Sequence, residues 1–342
     1  MYTEFLRFQQ ELSYISSVDI SGNSKYIALT SQQKPEIIKI FFIETGKSKI
    51  ILSKNLYEEK IKLLKFFPCS SKLLSAHNDN NINVFNIFSS SVLYSIKLIY
   101  WCYSLDIFSN GDVITFGTSF SYTGIWEIEK GYVNYKLIKH DHLISSIAVF
   151  NDQERVVSSS LGKIKIWNYK TVKVIHNLKG HEGVISLVCL VPDDSKIIST
   201  GTDFKVKIWN TTTGEQINSF HISRKIIQDI CITNNGKNFI TIFRYENEYI
   251  RIVDINTGDY KFIFTDEIDK NYFKKYKMSI SNGNIIATIT DYDEMIIWKL
   301  DRFVPTKRVE NLLIKGLNED IAGIIMKYAV AKKQELAQFK NV

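Results

Sequence analysis

Four side chains in this chain are of the types from which chemistry is made: His181, Ser199, Asp203 and Trp209. Imidazole exchanges protons near neutral pH, and a hydroxyl and a carboxylate beside it would complete an acid–base relay. The same set also makes a purely structural network. An indole N–H only donates, a hydroxyl both accepts and donates, and a carboxylate out of water needs donors to stay ionised. The rest of the sequence favours the structural reading. It holds no Gly-x-x-x-x-Gly-Lys phosphate loop, no Gly-x-Ser-x-Gly elbow and no His-Glu-x-x-His pair. His77, His176 and His221 are dispersed, and the close pair His140 and His142 has no third ligand nearby to hold a metal. No catalytic residue, metal or cofactor is expected, and the chain reads as a non-enzyme.

The elements that must position these side chains announce themselves as a repeat. A short apolar run ending in a bulky residue recurs at Phe41, Phe85, Trp126, Trp167, Trp209, Val253 and Trp298, at intervals of 44, 41, 41, 42, 44 and 45 residues. That period is the length of one four-stranded blade, a unit that cannot bury its faces without neighbours. The stretch after His181 shows the pattern best. Residues 184–190 and 196–200 are β-rich and separated by Pro192-Asp193-Asp194, Lys alternates with Val and Ile up to Trp209, and Thr212-Thr213-Gly214 turns the chain into residues 215–220. A glycine five residues after the bulky marker recurs at Gly46, Gly131, Gly214 and Gly258, which predicts a left-handed backbone position. The expectation is all-β: a seven-bladed β-propeller over residues 1–300. Its last repeat is one strand short, and residues 2–8 alternate like the strand that would complete it. Residues 301–342 leave the period. Val309, Leu312, Leu313 and Leu317, then Ile321, Ile324, Ile325, Tyr328, Leu336 and Phe339, fall at helical spacing and predict a short α-helical C-terminal extension.

Gly180-His181, Ser199, Asp203 and Trp209-Asn210 resemble the Gly-His … Trp-Asp signature of the WD-repeat family, with Asn210 in place of the final Asp. The resemblance implies that His181, Ser199, Asp203 and Trp209 form a structural tetrad, and that an N-terminal strand closes the ring. Elsewhere the signature is eroded. Ser75 and Asp79 keep their offsets from Phe85, but Tyr57 stands where His would be; His140 or His142 accompanies Trp167, but Leu161 occupies the Asp offset. The family likeness also implies that residues three and five after the His position reach the narrower top face, where partners dock. Registering the repeats places Tyr14, Lys60, Lys62, Trp101, Tyr103, Lys274 and Tyr276 on that rim as the partner-binding residues, with Leu143 and Val184 in corresponding places.

Composition bounds the partners. A net charge of +7 raises nucleic acid and acidic membranes, yet no run of five basic residues occurs, and Lys270, Lys274, Lys275 and Lys277 mix with Asp266, Glu267 and Asp269. Both are disfavoured. A hydrophobic fraction of 45% supplies a core, while charges interrupt any run of about 20 apolar residues that could span a bilayer. Cys69, Cys102, Cys189 and Cys231 are scattered, and the start of the chain lacks a secretory signal, which suits reduced thiols in the cytoplasm or nucleus. The function expected is a non-catalytic protein-interaction scaffold whose top face binds a protein or peptide, acidic with an apolar anchor, since aromatics beside lysines suit such a ligand. Two alternatives stand beside it. One is a phosphoinositide-binding peripheral membrane propeller, whose family carries Phe-Arg-Arg-Gly where this chain has Ser223-Arg224-Lys225-Ile226. The other is a substrate-recruiting ubiquitin-ligase subunit, because residues 317–321 with Ile324, Ile325 and Tyr328 resemble the first helix of an F-box without its usual Pro.

Overall fold

Apolar residues on both faces of a strand require cover on both faces, and that requirement builds this fold. The second strands are buried along almost their whole length, as in Val113–Thr118, whereas the fourth strands are mostly exposed, as in Val92–Lys97 and Gln216–His221. Sheets therefore stack face to face with their last strands outermost. The core lies between neighbouring sheets: Leu74 and Val84 pack with Ile114, Phe116 and Trp126, and Phe108 and Ile125 pack with Val156 and Trp167.

The computed structural model describes residues 2–9, 15–34, 36–52, 60–135, 137–222, 226–243, 249–264, 277–280, 285–289 and 294–300. Within them the protein is all-β, and the two helices expected over 301–342 lie outside the described residues. The chain divides into two units, one of Tyr2–Leu300 and the other of Asp301–Val342 with Met1.

Among the described residues, four sheets are antiparallel meanders of four strands, starting at Ile15–Ile20, Ile61–Phe66, Cys102–Ile107 and Ile227–Ile232. A fifth takes its strands from both ends of the unit. Tyr2–Gln9 pairs antiparallel with Glu294–Leu300, Tyr2 opposite Leu300 and Gln9 opposite Glu294, and Ile285–Ile289 and Lys277–Ile280 follow.

The remaining sheet corrects the expected architecture. Ser146–Val149, Arg155–Asn168, Lys173–Leu190, Lys196–Gly201, Lys205–Asn210 and Gln216–His221 form one six-stranded sheet, so among the described residues there are five four-stranded blades and not the seven expected. The cause is local. Leu161 pairs with Val184 and Lys163 with Lys179, so the ladder of repeat four continues into repeat five where a loop separates other sheets.

Side chains tie the first strands to one another. The N–H of Leu64 donates to Ser17 Oγ at 3.0 Å and that of Phe66 to Asp19 Oδ2 at 2.7 Å. Ile147 and Val149 donate to Ser104 Oγ and Asp106 Oδ2 at 2.9 and 3.0 Å, and Val188 donates to Ser146 Oγ at 3.1 Å. Met278 donates to Asp229 Oδ2 at 3.1 Å, and Ile20 donates to Ser279 Oγ at 3.1 Å, which returns the series to its start. Of these groups Asp19, Asp106, Asp229 and Ser279 line a cavity of about 520 Å³. The thiols are all free; burial pushes those of Cys102 and Cys189, on first strands, up to about 12.

Candidate functional site

The structure brings His181, Ser199, Asp203 and Trp209 together. The stretch of Lys173–Leu190 just before Val184 carries His181, the second and third strands of that repeat carry Ser199 and Trp209, and the turn between them carries Asp203. Trp209 Nε1 donates to Ser199 Oγ at 2.8 Å, Ser199 Oγ and His181 Nε2 lie 2.8 Å apart, and His181 Nδ1 lies 2.8 Å from Asp203 Oδ2. The side chains of His181 and Asp203 are almost wholly buried, at 0% and 4% exposed. Burial pushes His181 below the ordinary histidine value against the pull of Asp203. Burial also pushes the Asp203 carboxyl up, but the bond and charge of His181 and the N–H groups of Lys205 and Glu182 outweigh it and hold the group below the usual carboxylate value. The pair is a neutral imidazole donating to a carboxylate, an arrangement that orders a turn.

Repeat four carries a shorter version. His140 Nε2 lies 2.7 Å from Ser158 Oγ, and Trp167 Nε1 donates to the same oxygen at 3.0 Å, while Leu161 is exposed to solvent. In repeat two Ser75 bonds His77, at 2.7 Å from Nε2, and Asp79 bonds Asn81; Tyr57 lies outside the described residues. His142 is exposed, and among the described residues no group of three potential ligands could hold a metal.

Burial, and next the charge of Lys165, lowers the His140 pKa to about 4. An unfolded histidine titrates near 6.5, so between these values the unfolded chain holds the proton and the folded chain does not. The stability contribution is complete above pH 6.5 and is lost as the pH falls toward 4, by up to about 3 kcal/mol. Urea denaturation across that window should show a steeper acid loss for the wild type than for His140→Gln. Parallel curves would remove His140 as the cause.

In an antiparallel meander, the loop leading into a sheet and the turn between its second and third strands lie at the same end. Of the rim residues, Lys60 and Trp101 are exposed at that end, and Lys62 Nζ sits 3.9 Å above the ring of Tyr103, so adjacent repeats meet there. Burial lowers the Lys62 pKa. Tyr14, Lys274 and Tyr276 lie outside the described residues, as do Ser223, Arg224 and Lys225.

The rim reading missed residues on the turns. Phe120 (61% exposed), Leu161 (41%) and Phe204 (40%) stand beside Trp101 (58%), Leu143 (40%) and Val184 (41%). Hydrogen bonds join the segments that carry them: Ser119 N–H to Trp101 O, Ile144 N–H to Thr118 O, Ser160 Oγ to His142 O and Thr202 N–H to Val184 O, with Leu161 paired to Val184. Tyr100 packs on Phe120 with centroids 4.3 Å apart. Phe204 holds φ +60°, a left-handed conformation that Asn80 takes in repeat two. A bulky aromatic there costs about 1 kcal/mol or more, and nothing in the alternation of the sequence signals it.

Charge at this end is lopsided. Asp141 pairs with Lys163, Glu182 with Lys205 at 3.4 Å, and Asp203 with His181. Lys34, Lys60, Lys139 and Lys179 are exposed and form no ion pair among the described residues, against Glu36 and Asp79, which likewise form none.

Residues 106–302 match a family model described as NWD2 C-terminal beta-propeller. Among curated proteins, the chain is 22% identical over 267 residues to Apoptotic protease-activating factor 1 of Homo sapiens, covering 72% of this chain and 20% of that protein. It is 21% identical over 314 residues to a putative BTB/POZ domain and WD-repeat protein of Acanthamoeba polyphaga mimivirus, covering 86% and 56%. A shorter match, 31% over 98 residues, is to WD repeat-containing protein 43 of Homo sapiens, covering 28% and 14%. The chain thus spans from about a seventh to just over half of these relatives.

Proposed function

Since the chain belongs to the NWD2 C-terminal beta-propeller family, and so is a divergent WD-repeat propeller, we propose that it is a non-catalytic scaffold whose top face binds a protein or peptide partner. The observation that carries this reading is the row from Trp101 to Phe204, large apolar groups held in water on consecutive repeats. Large apolar side chains exposed on consecutive repeats at one end support an interaction site there, and the surplus lysines around them select an acidic partner. The strained Phe204 supports the same reading, because backbone strain is kept where function needs it.

Trp167 and Ser158 belong to one strand yet share a hydrogen bond, so Arg155–Asn168 doubles back at Gly162, φ +63°, and the six-stranded sheet is two fused repeats. The domain boundary falls at 300/301, with the helical extension beyond it. Free thiols suit the cytoplasm or nucleus.

For a partner isolated from the native cell and then purified, Trp101→Ala should weaken binding about 30-fold. Lys60→Glu should weaken it most at low salt. Calorimetric titration measures both, with melting temperatures expected to match wild type. Undiminished affinity in both folded variants would move the binding surface off this face.

A further inference from the structure

The hydrogen-bond relay of repeat four ends in a donor with nothing to receive it. Trp167 Nε1–H donates to Ser158 Oγ, so the hydroxyl proton of Ser158 points to His140 Nε2 at 2.7 Å. A neutral His140 that accepts at Nε2 carries its own proton on Nδ1. The parallel relay of repeat five runs identically to His181, whose Nδ1 donates to Asp203. His140 Nδ1 meets no acceptor among the described residues, although His140 is only 2% exposed.

The cause is one missing residue. Nine positions separate Ser158 from Trp167 and ten separate Ser199 from Trp209, so the turn is one residue shorter and carries Leu161, not a carboxylate, at the Asp offset. The surroundings remain suited to an anion. Lys165, whose Nζ donates to Lys139 O at 2.7 Å, acts on His140 more strongly than the neighbouring carboxylate of Asp141, and Lys163, which pairs with Asp141, adds a further positive charge. Leu143, just after His140, and Leu161, on Arg155–Asn168 and paired with Val184, are both exposed next to the position that lacks the carboxylate.

We propose that this gap is a carboxylate site, in which an aspartate or glutamate side chain of an acidic partner peptide accepts from His140 Nδ1–H, as Asp203 does from His181, with Leu143 and Leu161 contacting the peptide's adjacent apolar residue. The proposal rests on the scaffold reading and deepens it by naming the residue type that the top face selects. An unsatisfied buried donor gives the selectivity, because an apolar side chain in the same place would leave it unpaired.

A displayed library of random short peptides, selected on the full chain, tests it. Selected peptides should share an Asp or Glu beside an apolar residue, and changing that acid to its amide should weaken binding by about tenfold. Leu161→Asp, which supplies an internal carboxylate, should weaken binding by a similar factor and raise the melting temperature, whereas Leu161→Ala should do less to binding and nothing to stability. On wild type, the His140 Nδ1 proton should move downfield in the NMR spectrum when the peptide binds, which serves if Leu161→Asp fails to fold. Peptides that bind with no acidic preference, with the His140 signal unmoved, would overturn the carboxylate site while leaving the scaffold standing. Failure to select any peptide whose binding Trp101→Ala weakens would overturn both.

Discussion

Asp203→Ala is expected to lower stability by about 2–3 kcal/mol, a shift of several degrees in melting temperature. The carboxylate receives His181 Nδ1–H at 2.8 Å and the backbone N–H groups of Glu182 at 3.2 Å and Lys205 at 3.3 Å. Alanine strands all three donors, and the two groups at the centre of the network have almost no access to water. Asp203→Asn keeps an acceptor and should lose less. Because the folded carboxyl lies below its ordinary value, the contribution is present above that value and is lost as the pH falls through the folded one. Scanning calorimetry of both variants at neutral pH decides; an unchanged transition for Asp203→Ala would show that the network holds nothing together.

Removing residues 2–9 should have the larger effect. Those residues complete the sheet that also contains Glu294–Leu300, with backbone pairing from Tyr2 opposite Leu300 to Gln9 opposite Glu294. Without them Glu294–Leu300 becomes an open edge in the sheet that joins the end of the ring to its beginning. An unpaired edge recruits other strands, so aggregation or loss of a single cooperative transition is expected. A truncated protein that stays monodisperse in size-exclusion chromatography and unfolds at the wild-type temperature would contradict the pairing.

Much of this was legible because it is written in spacing. The bulky markers from Phe41 to Trp298 set the repeat, and Gly46, Gly131, Gly214 and Gly258 do hold positive φ. His181 to Trp209 could be read because four polar types at fixed offsets have few other uses. What escaped depends on one-residue differences. A turn shortened by a single position at Leu161 lets the ladder continue to Val184, and period alone cannot distinguish joined repeats from separated ones. His77 bonds Ser75 because both sit on one strand two residues apart, a contact that a search for histidine in the preceding loop passes over. Phe120, Leu161 and Phe204 escaped because the family offsets count from the loop and ignore the turn.

The side-chain ties between first strands have a mechanical reading. Apart from the pairing that joins repeats four and five, the sheets share no backbone ladder, so circumferential load passes through Ser17, Asp19, Ser104, Asp106, Ser146, Asp229 and Ser279 as through the links of a hoop, with the Lys65–Asp106 ion pair and the Cys189 thiol on Ile230 O bridging the two intervals that these links leave. Each link joins a side chain of one repeat to an amide of the next, so loosening one registers on its neighbour. Hydrogen exchange at the Phe66 amide therefore gauges the carboxyl of Asp19 in the preceding sheet, and exchange at Ile20 gauges Ser279. A ligand that tightens one sector would be felt as slowed exchange at the next amide around the circumference.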